Sequence, residues 1–158
     1  MKLIRNRGAL GIAAAAIVVV GPLVTASQAS AETAECRSRA DGGVMTCVRV
    51  EVGPGGTGAR AHASITDLDD GQNFQVGVSD ISLWRQTLSG NWEWVRTIDD
   101  ADWVHPANFD EGRTSYHTCG GHGTDKYMAK AFFEWIPADG FTRREFRDSP
   151  VRFAGCES

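Results

Sequence analysis

The sequence has 158 residues, of which 42% are hydrophobic and 23% are charged, a balance typical of a folded domain. Its 16 basic and 20 acidic side chains give a formal net charge of −4. This charge argues against general binding of nucleic acids or anionic lipids, because both depend on neutralising negative charge with lysine and arginine.

The N-terminal residues have the pattern of a secretory signal peptide. Lys2, Arg5 and Arg7 form a basic start. Residues 9–24 are almost wholly apolar, and an A-x-A cleavage pattern ends at Ala31. A membrane anchor is the alternative, but the apolar run is short for a full span. We therefore expect residues 1–31 to be removed during export.

The remaining residues 32–158 are expected to form one secreted, extracellular domain without a membrane span. Removal of the three basic residues leaves 13 basic against 20 acidic side chains, so the net charge changes from −4 to −7. No later segment is long and apolar enough to cross a bilayer. The size of this part suits a single domain with a modest core.

Four cysteines lie in the expected mature chain, and an even number in an exported protein predicts two disulfides. Three pairings are possible. We prefer Cys36–Cys47, which would close a short hairpin with its turn at residues 41–43, together with Cys119–Cys156 near the C-terminus. Loop closure would contribute roughly 3 kcal/mol or more for each bridge.

Alternating apolar and polar residues predict about seven short antiparallel strands, and therefore an all-β sandwich or barrel. A hairpin turn is predicted at residues 88–91, and a short strand over residues 113–119. The segment of residues 98–112 is rich in acidic residues and contains a proline, and it is predicted to be a long exposed loop. The residues predicted to face the core are Val44, Val48, Val50, Val52, Ala61, Ala63, Ile65, Phe74, Val76, Val78, Tyr127, Ala129, Ala131, Phe133, Trp135, Val151 and Phe153.

The segments "DKYMAKAFFEW" and "RREFRDSPVRFAGC" resemble the last two strands of immunoglobulin-like and fibronectin-III-like sandwiches. In those folds a tyrosine opens the penultimate strand, as Tyr127 would, and a Ser-Pro step precedes the final one. Trp84 stands where such folds have a core tryptophan in a middle strand, so the resemblance implies that it faces the core. Ala129 stands where antibody domains have a bridging cysteine, so that disulfide is missing. The chain is also similar to small secreted actinobacterial proteins with such a domain and two disulfides. This resemblance implies an immunoglobulin-like sandwich and no particular activity.

The motif "HTCGGHG", residues 117–123, contains possible zinc ligands in His117, Cys119 and His122, with Asp125 as a fourth. Their spacing is poor for one compact site. In an oxidising compartment Cys119 is better explained as half of a disulfide, which removes it as a ligand or a nucleophile. We therefore expect no metal and no cofactor here, but a disulfide-held turn.

A second possible metal site is the segment containing Asp67, Asp69 and Asp70, whose oxygens could bind calcium. The same residues also suit a hairpin turn between two strands. The sequence leaves both interpretations open and favours the turn.

Five tryptophans among so few residues point to a binding surface. Trp92 and Trp94 share one face of a predicted strand, while Asp102, Trp103 and His105 lie in the predicted acidic loop. Exposed aromatic rings beside acidic groups could bind a glycan or a protein partner. We predict a secreted, non-catalytic binding module that binds through Trp92, Trp94, Asp102, Trp103 and His105. It could serve, for example, as an adaptor or inhibitor subunit of an exported complex.

The alternative function is a small secreted hydrolase that uses carboxylates of residues 99–111. Paired carboxylates can hydrolyse glycosides when their separation is suitable, and His105 or His117 could assist them. No motif of a known hydrolase accompanies these residues. His62 lies on the polar face of its predicted strand and has no partner that the sequence reveals.

Overall fold

The computed structural model describes residues 35–39, 43–69, 75–99, 108–118 and 123–156. Within these residues, no helix is long and apolar enough to span a membrane. Several predictions concern residues outside the described part: the signal peptide, the inward direction of Phe74, the Cys119–Cys156 bridge, and the roles of Asp70, Asp102, Trp103, His105 and His122.

The described residues form two antiparallel sheets that pack face to face as a sandwich. The four-stranded sheet has the order β1-β2-β3-β6, and the five-stranded sheet has the order β5-β4-β7-β8, with β9 also paired to β7. The strands are β1 (Glu35–Arg39), β2 (Val44–Val52), β3 (Ala59–Asp67), β4 (Gln75–Gln86), β5 (Trp92–Asp99), β6 (Phe109–Arg113), β7 (Gly123–Ile136), β8 (Arg143–Asp148) and β9 (Arg152–Cys156).

The core lies between the sheets and is built from every second residue of β2, β3, β4 and β7, because successive side chains of a strand point to opposite faces. Most of the predicted inward residues are buried there, which confirms the phase assigned to β2, β3, β7 and the first half of β4. β7 contributes the largest of them. The buried members are Val44, Val48, Val50, Ala61, Ala63, Ile65, Val76, Val78, Tyr127, Ala129, Ala131, Phe133 and Trp135.

The predicted Cys36–Cys47 disulfide is present and joins β1 to β2. The two cysteines are directly opposite each other in the antiparallel pair, with Cα atoms 4.1 Å apart. The bridge lies on the outer face of the sheet because the neighbouring residue Val48 points into the core. It therefore fastens a short edge strand to the sheet.

The region predicted to be a long exposed loop includes the end of β5 and most of β6, so that prediction is wrong for residues 98–99 and 109–112. Here β6 pairs with the free edge of β3. Its inward positions are Asp110 and Gly112, which carry no apolar signal. Asp110 faces inward and its Oδ2 accepts a hydrogen bond of 2.8 Å from the backbone N–H of Val78 in the opposite sheet.

The chain after β6 is irregular over residues 114–118, so the strand predicted from residue 113 to 119 is wrong for these five residues. Residues 114–118 run beside β3 and are joined to it by isolated hydrogen bonds instead of a continuous ladder of strand hydrogen bonds. Thr114 exchanges hydrogen bonds with Ala61, and His117 exchanges backbone hydrogen bonds with Ala59.

The predicted inward direction of Val151 and Phe153 is wrong too. Both are exposed, Phe153 to 61%, and the buried residue of β9 is Ala154. The pairing of β9 with β7 explains this, because Phe153 is opposite the outward-facing Lys126. Alternation was recognised correctly in this segment, but its phase was reversed.

The open side of the sandwich, between edge strands β1 and β8, is closed by ion pairs. Arg39 lies 3.6 Å from Glu145, and Arg147 lies 3.6 Å from Glu35. The buried guanidinium of Arg147 also donates a hydrogen bond of 2.7 Å to the carbonyl oxygen of Thr46. Burial lowers the pKa of Arg147 from its ordinary value.

Candidate functional site

The outer face of the five-stranded sheet carries a row of large aromatic side chains. The strand register brings together residues that are far apart in the sequence, from β5 at one edge to β8 and β9 at the other. We call this surface the aromatic face. It consists of Trp84, Trp92, Trp94, Lys126, Met128, Lys130, Phe132, Phe146 and Phe153.

The centre of the aromatic face is a row across three strands. Trp94 of β5 is opposite Trp84 of β4, which is in turn opposite Met128 of β7. Trp94 is 58% exposed, although its neighbour Val95 packs against the core. Such cross-strand pairs of aromatic residues stabilise a sheet while leaving the outer side of the rings accessible.

Trp84 lies on this outer face, so its predicted place in the core is wrong. Leu83, one residue earlier, is fully buried, and the alternation of β4 therefore turns Trp84 outward. The Trp84 indole Nε1–H donates a hydrogen bond of 3.0 Å to Ser82 Oγ on the same face. This bond and its neighbours keep the ring only partly exposed.

Two lysines of β7 lie against the rings. The ammonium nitrogen of Lys130 is 4.8 Å from the ring centre of Trp84 and 6.0 Å from that of Phe146. The ammonium nitrogen of Lys126 is 5.7 Å from the ring centre of Phe153. Cations at these distances are attracted by the negative face of an aromatic ring.

The other side of the aromatic face is formed by β8 and β9. Phe146 is 58% exposed and is directly opposite Phe132 of β7. From β5 to β8 the face spans three strand spacings, about 14 Å. An exposed apolar area that is contiguous and rimmed by polar groups is typical of an interaction site.

The outer edge of β5, at one side of the described five-stranded sheet, is irregular. The pairing with β4 shifts register at Leu83 and Trp84, a β-bulge that places Val95 as an extra residue. The guanidinium of Arg96 donates a hydrogen bond of 2.9 Å to the carbonyl oxygen of Val95. Bulges and charged side chains are devices that discourage strand addition at a sheet edge.

A second cluster lies on the outer face of the four-stranded sheet and centres on Glu51, which is only 6% exposed. Its Oε1 accepts a hydrogen bond of 3.0 Å from Arg49 Nε, and its Oε2 accepts one of 2.6 Å from Arg60 Nε. His62 lies 2.8 Å from Glu51 and 3.2 Å from Glu111. Glu51 and Glu111 are thus the partners of His62 that the sequence did not reveal.

This cluster fastens β2, β3 and β6 together. Burial alone would raise the pKa of Glu51, but hydrogen bonds from Arg49 and Arg60 and the positive charges of His62 and Arg60 lower it to about 2. Both carboxylate oxygens of Glu51 are occupied by these contacts. The cluster is therefore structural, since no acceptor on Glu51 is left for a ligand.

The depressed pKa of Glu51 predicts a loss of stability in acid. A carboxyl group with a folded-state pKa near 2 and an ordinary value of 4.5 stabilises the fold fully above pH 4.5 and loses this contribution as the pH falls towards 2. Urea unfolding across this range should show the decrease. In Glu51→Gln the decrease should be smaller, and an unchanged slope in that variant would contradict the assignment.

The described part of the "HTCGGHG" motif contacts a third cluster, at one end of the core. The His117 ring is 6.1 Å from the Tyr127 ring in an edge-on arrangement. Burial lowers the pKa of His117, and the charges of Arg96 and Arg85 lower it further. The imidazole is therefore neutral at pH 7.

Asp125, weighed as a possible fourth zinc ligand, has other partners. It lies 3.5 Å from the guanidinium of Arg85 and accepts a hydrogen bond of 3.5 Å from the hydroxyl of Tyr127. Burial raises the pKa of Tyr127 to about 12, and the charge of Asp125 adds to this. Among the described residues, no group of three His, Cys, Asp or Glu side chains is placed to hold a metal ion.

The other predicted site residues have separate environments. Asp67 Oδ1 accepts a hydrogen bond of 2.9 Å from the backbone N–H of Asp69, an arrangement typical of a turn. Asp110 and Glu111 point to opposite faces of β6, because they are adjacent in a strand. These two carboxylates of the suggested hydrolase therefore do not converge.

The aromatic face includes two of the five predicted binding residues, Trp92 and Trp94. Trp84, Phe146 and Phe153 were missed as surface residues, and so were the two lysines. The available signal was the alternation itself, because Lys126, Met128 and Lys130 occupy the positions between the buried residues of β7.

No protein-family model matches the chain, and no curated protein shows significant similarity to it.

Proposed function

We propose that the chain is a secreted, non-catalytic binding module that docks a protein partner on its aromatic face. One observation carries the proposal: Trp94, Phe146 and Phe153 are each more than half exposed on a single sheet face. Large aromatic rings cost free energy when they remain in water, and burying them in an interface recovers it. The signal-peptide pattern and the Cys36–Cys47 disulfide support a role outside the cell.

A protein partner fits this surface better than a small ligand. Small-molecule sites are concave, whereas the aromatic face is the outer side of a sheet. The centres of protein interfaces are enriched in Trp, Phe and Met and are surrounded by polar groups. Here the aromatic rings and Met128 form the centre, while Asp80, Asp148 and the ion pair between Glu134 and Arg144 form the rim.

Photo-crosslinking tests this proposal. A benzophenone amino acid placed at Phe146 should form a discrete adduct in the culture medium of the source organism, and mass spectrometry would identify the protein. The same group at Met45, on the outer face of the four-stranded sheet, is the control and should give no such adduct.

Trp94→Ala in the crosslinking protein should remove most of the adduct, because Trp94 belongs to the central row of the same face. Truncation of a central aromatic residue of an interface typically costs about 2 kcal/mol or more in binding. Adducts of equal yield from Phe146 and Met45, or an adduct that survives Trp94→Ala unchanged, would count against the aromatic face as the binding surface.

A further inference from the structure

The lysines of this protein are distributed differently from its arginines. The sequence contains three lysines, and the two that follow the signal-peptide pattern, Lys126 and Lys130, both lie on the aromatic face. Nine arginines of the described part lie within 4.0 Å of a carboxylate oxygen. These are Arg37, Arg39, Arg49, Arg60, Arg85, Arg113, Arg143, Arg144 and Arg147.

The two lysines are much less engaged with carboxylates. Lys130 reaches Asp148 only at 4.0 Å, the limit for an ion pair, and Asp148 is itself about half exposed. For Lys126, the described residues provide a contact with the Phe153 ring and no carboxylate within 4 Å. Two cations without strong internal partners therefore stand among the exposed rings of a protein that is acidic overall.

We propose that the partner docks through an acidic segment, with carboxylates that pair with Lys126 and Lys130 and an apolar centre that packs against Trp94 and Trp84. This inference rests on the proposed function of the aromatic face. When a partner covers the face, water is excluded from around the two ammonium groups. An uncompensated charge in that position is costly, so a partner that buries them must supply negative charge.

The spacing of the lysines adds a geometric requirement. They are four residues apart on one strand and on the same face, so their Cα atoms are separated by about 13 Å. An extended segment lying along β7 would therefore meet them with acidic residues at positions i and i+4. Its apolar side chains would lie beside the row formed by Trp94, Trp84 and Met128.

Selection from a phage-displayed library of random peptides on the purified, oxidised protein tests this inference. The enriched peptides should contain one acidic residue at position i and another at position i+4, with an apolar residue between them. A synthetic peptide of the enriched sequence should bind at least about tenfold more weakly to Lys126→Glu/Lys130→Glu, and binding should weaken as salt is raised. Lys126→Gln/Lys130→Gln should give an intermediate loss.

The controls separate this inference from the proposed function. Arg37→Glu reverses one positive charge, as each lysine-to-glutamate substitution does, but on the four-stranded sheet. It should leave peptide binding unchanged. If Trp94→Ala abolishes binding while the lysine variants bind normally, the acidic partner is excluded and the proposed docking surface stands. If neither kind of variant affects the selected peptides, or if the wild type selects none, both proposals are overturned.

Discussion

Replacing Phe133 by alanine is expected to destabilise the fold by about 4 kcal/mol, the range found for truncation of a large buried aromatic residue. Phe133 is fully buried in the middle of β7, the longest strand and the one that pairs with β4, β8 and β9. Its removal leaves a cavity between two sheets that are held apart by their other side chains. Urea unfolding followed by tryptophan fluorescence would measure the change.

Phe132→Ala is the matched control, because it removes the same side chain one residue away. Phe132 lies on the outer face opposite Phe146. Its truncation therefore removes a cross-strand aromatic pair and the contribution of a ring that is only partly buried. We expect a loss of roughly 1–2 kcal/mol. Equal losses in the two variants would contradict the assignment of β7 faces on which the core and the aromatic face both depend.

The second large effect is expected for Glu51→Gln, at about 3 kcal/mol. Glutamine has the same shape as glutamate but removes the negative charge that Arg49, Arg60 and His62 share. The destabilisation follows because the guanidinium groups of Arg49 and Arg60, whose side chains are less than a third exposed, lose the counter-charge of a nearly buried carboxylate. Equilibrium urea unfolding at pH 7 would measure it.

Glu111→Gln provides the comparison within the same cluster. Glu111 also contacts His62, at 3.2 Å, but its side chain is 37% exposed. Water replaces much of a lost ion pair at such a position, so we expect a change of less than about 1 kcal/mol. A loss for Glu111→Gln as large as that for Glu51→Gln would show that burial of Glu51 is not the source of the effect.

Much of the fold follows from local pattern. The alternation in β2, β3 and β7 identifies both the strands and their inward residues, because a strand with one buried face must have an apolar residue at every second position. The hairpin around residues 87–91 and the Cys36–Cys47 bridge were predictable for similar reasons. In both, the interacting residues are close in sequence and are separated by a short turn.

Phase is where local pattern failed. The segment around Trp84 contains apolar residues at both parities, and a bulge after Val78 shifts the register within the same strand. The C-terminal segment has the apolar residues Val151, Phe153 and Ala154. Only the pairing of Phe153 with the outward-facing Lys126 decides which of these side chains point into the core. An apolar residue in a strand therefore does not reveal by itself whether it faces the second sheet.

The sequence by itself indicated an all-β protein, favoured the Cys36–Cys47 bridge among three possible pairings, and identified the inward residues of β2, β3, β7 and the first half of β4. It did so because side-chain alternation and short-range closure are local properties. The aromatic face and the Glu51 cluster were decided only by the tertiary structure. Both join strands that are distant in sequence, and strand register, which depends on the pairing of whole strands, sets which side chains meet.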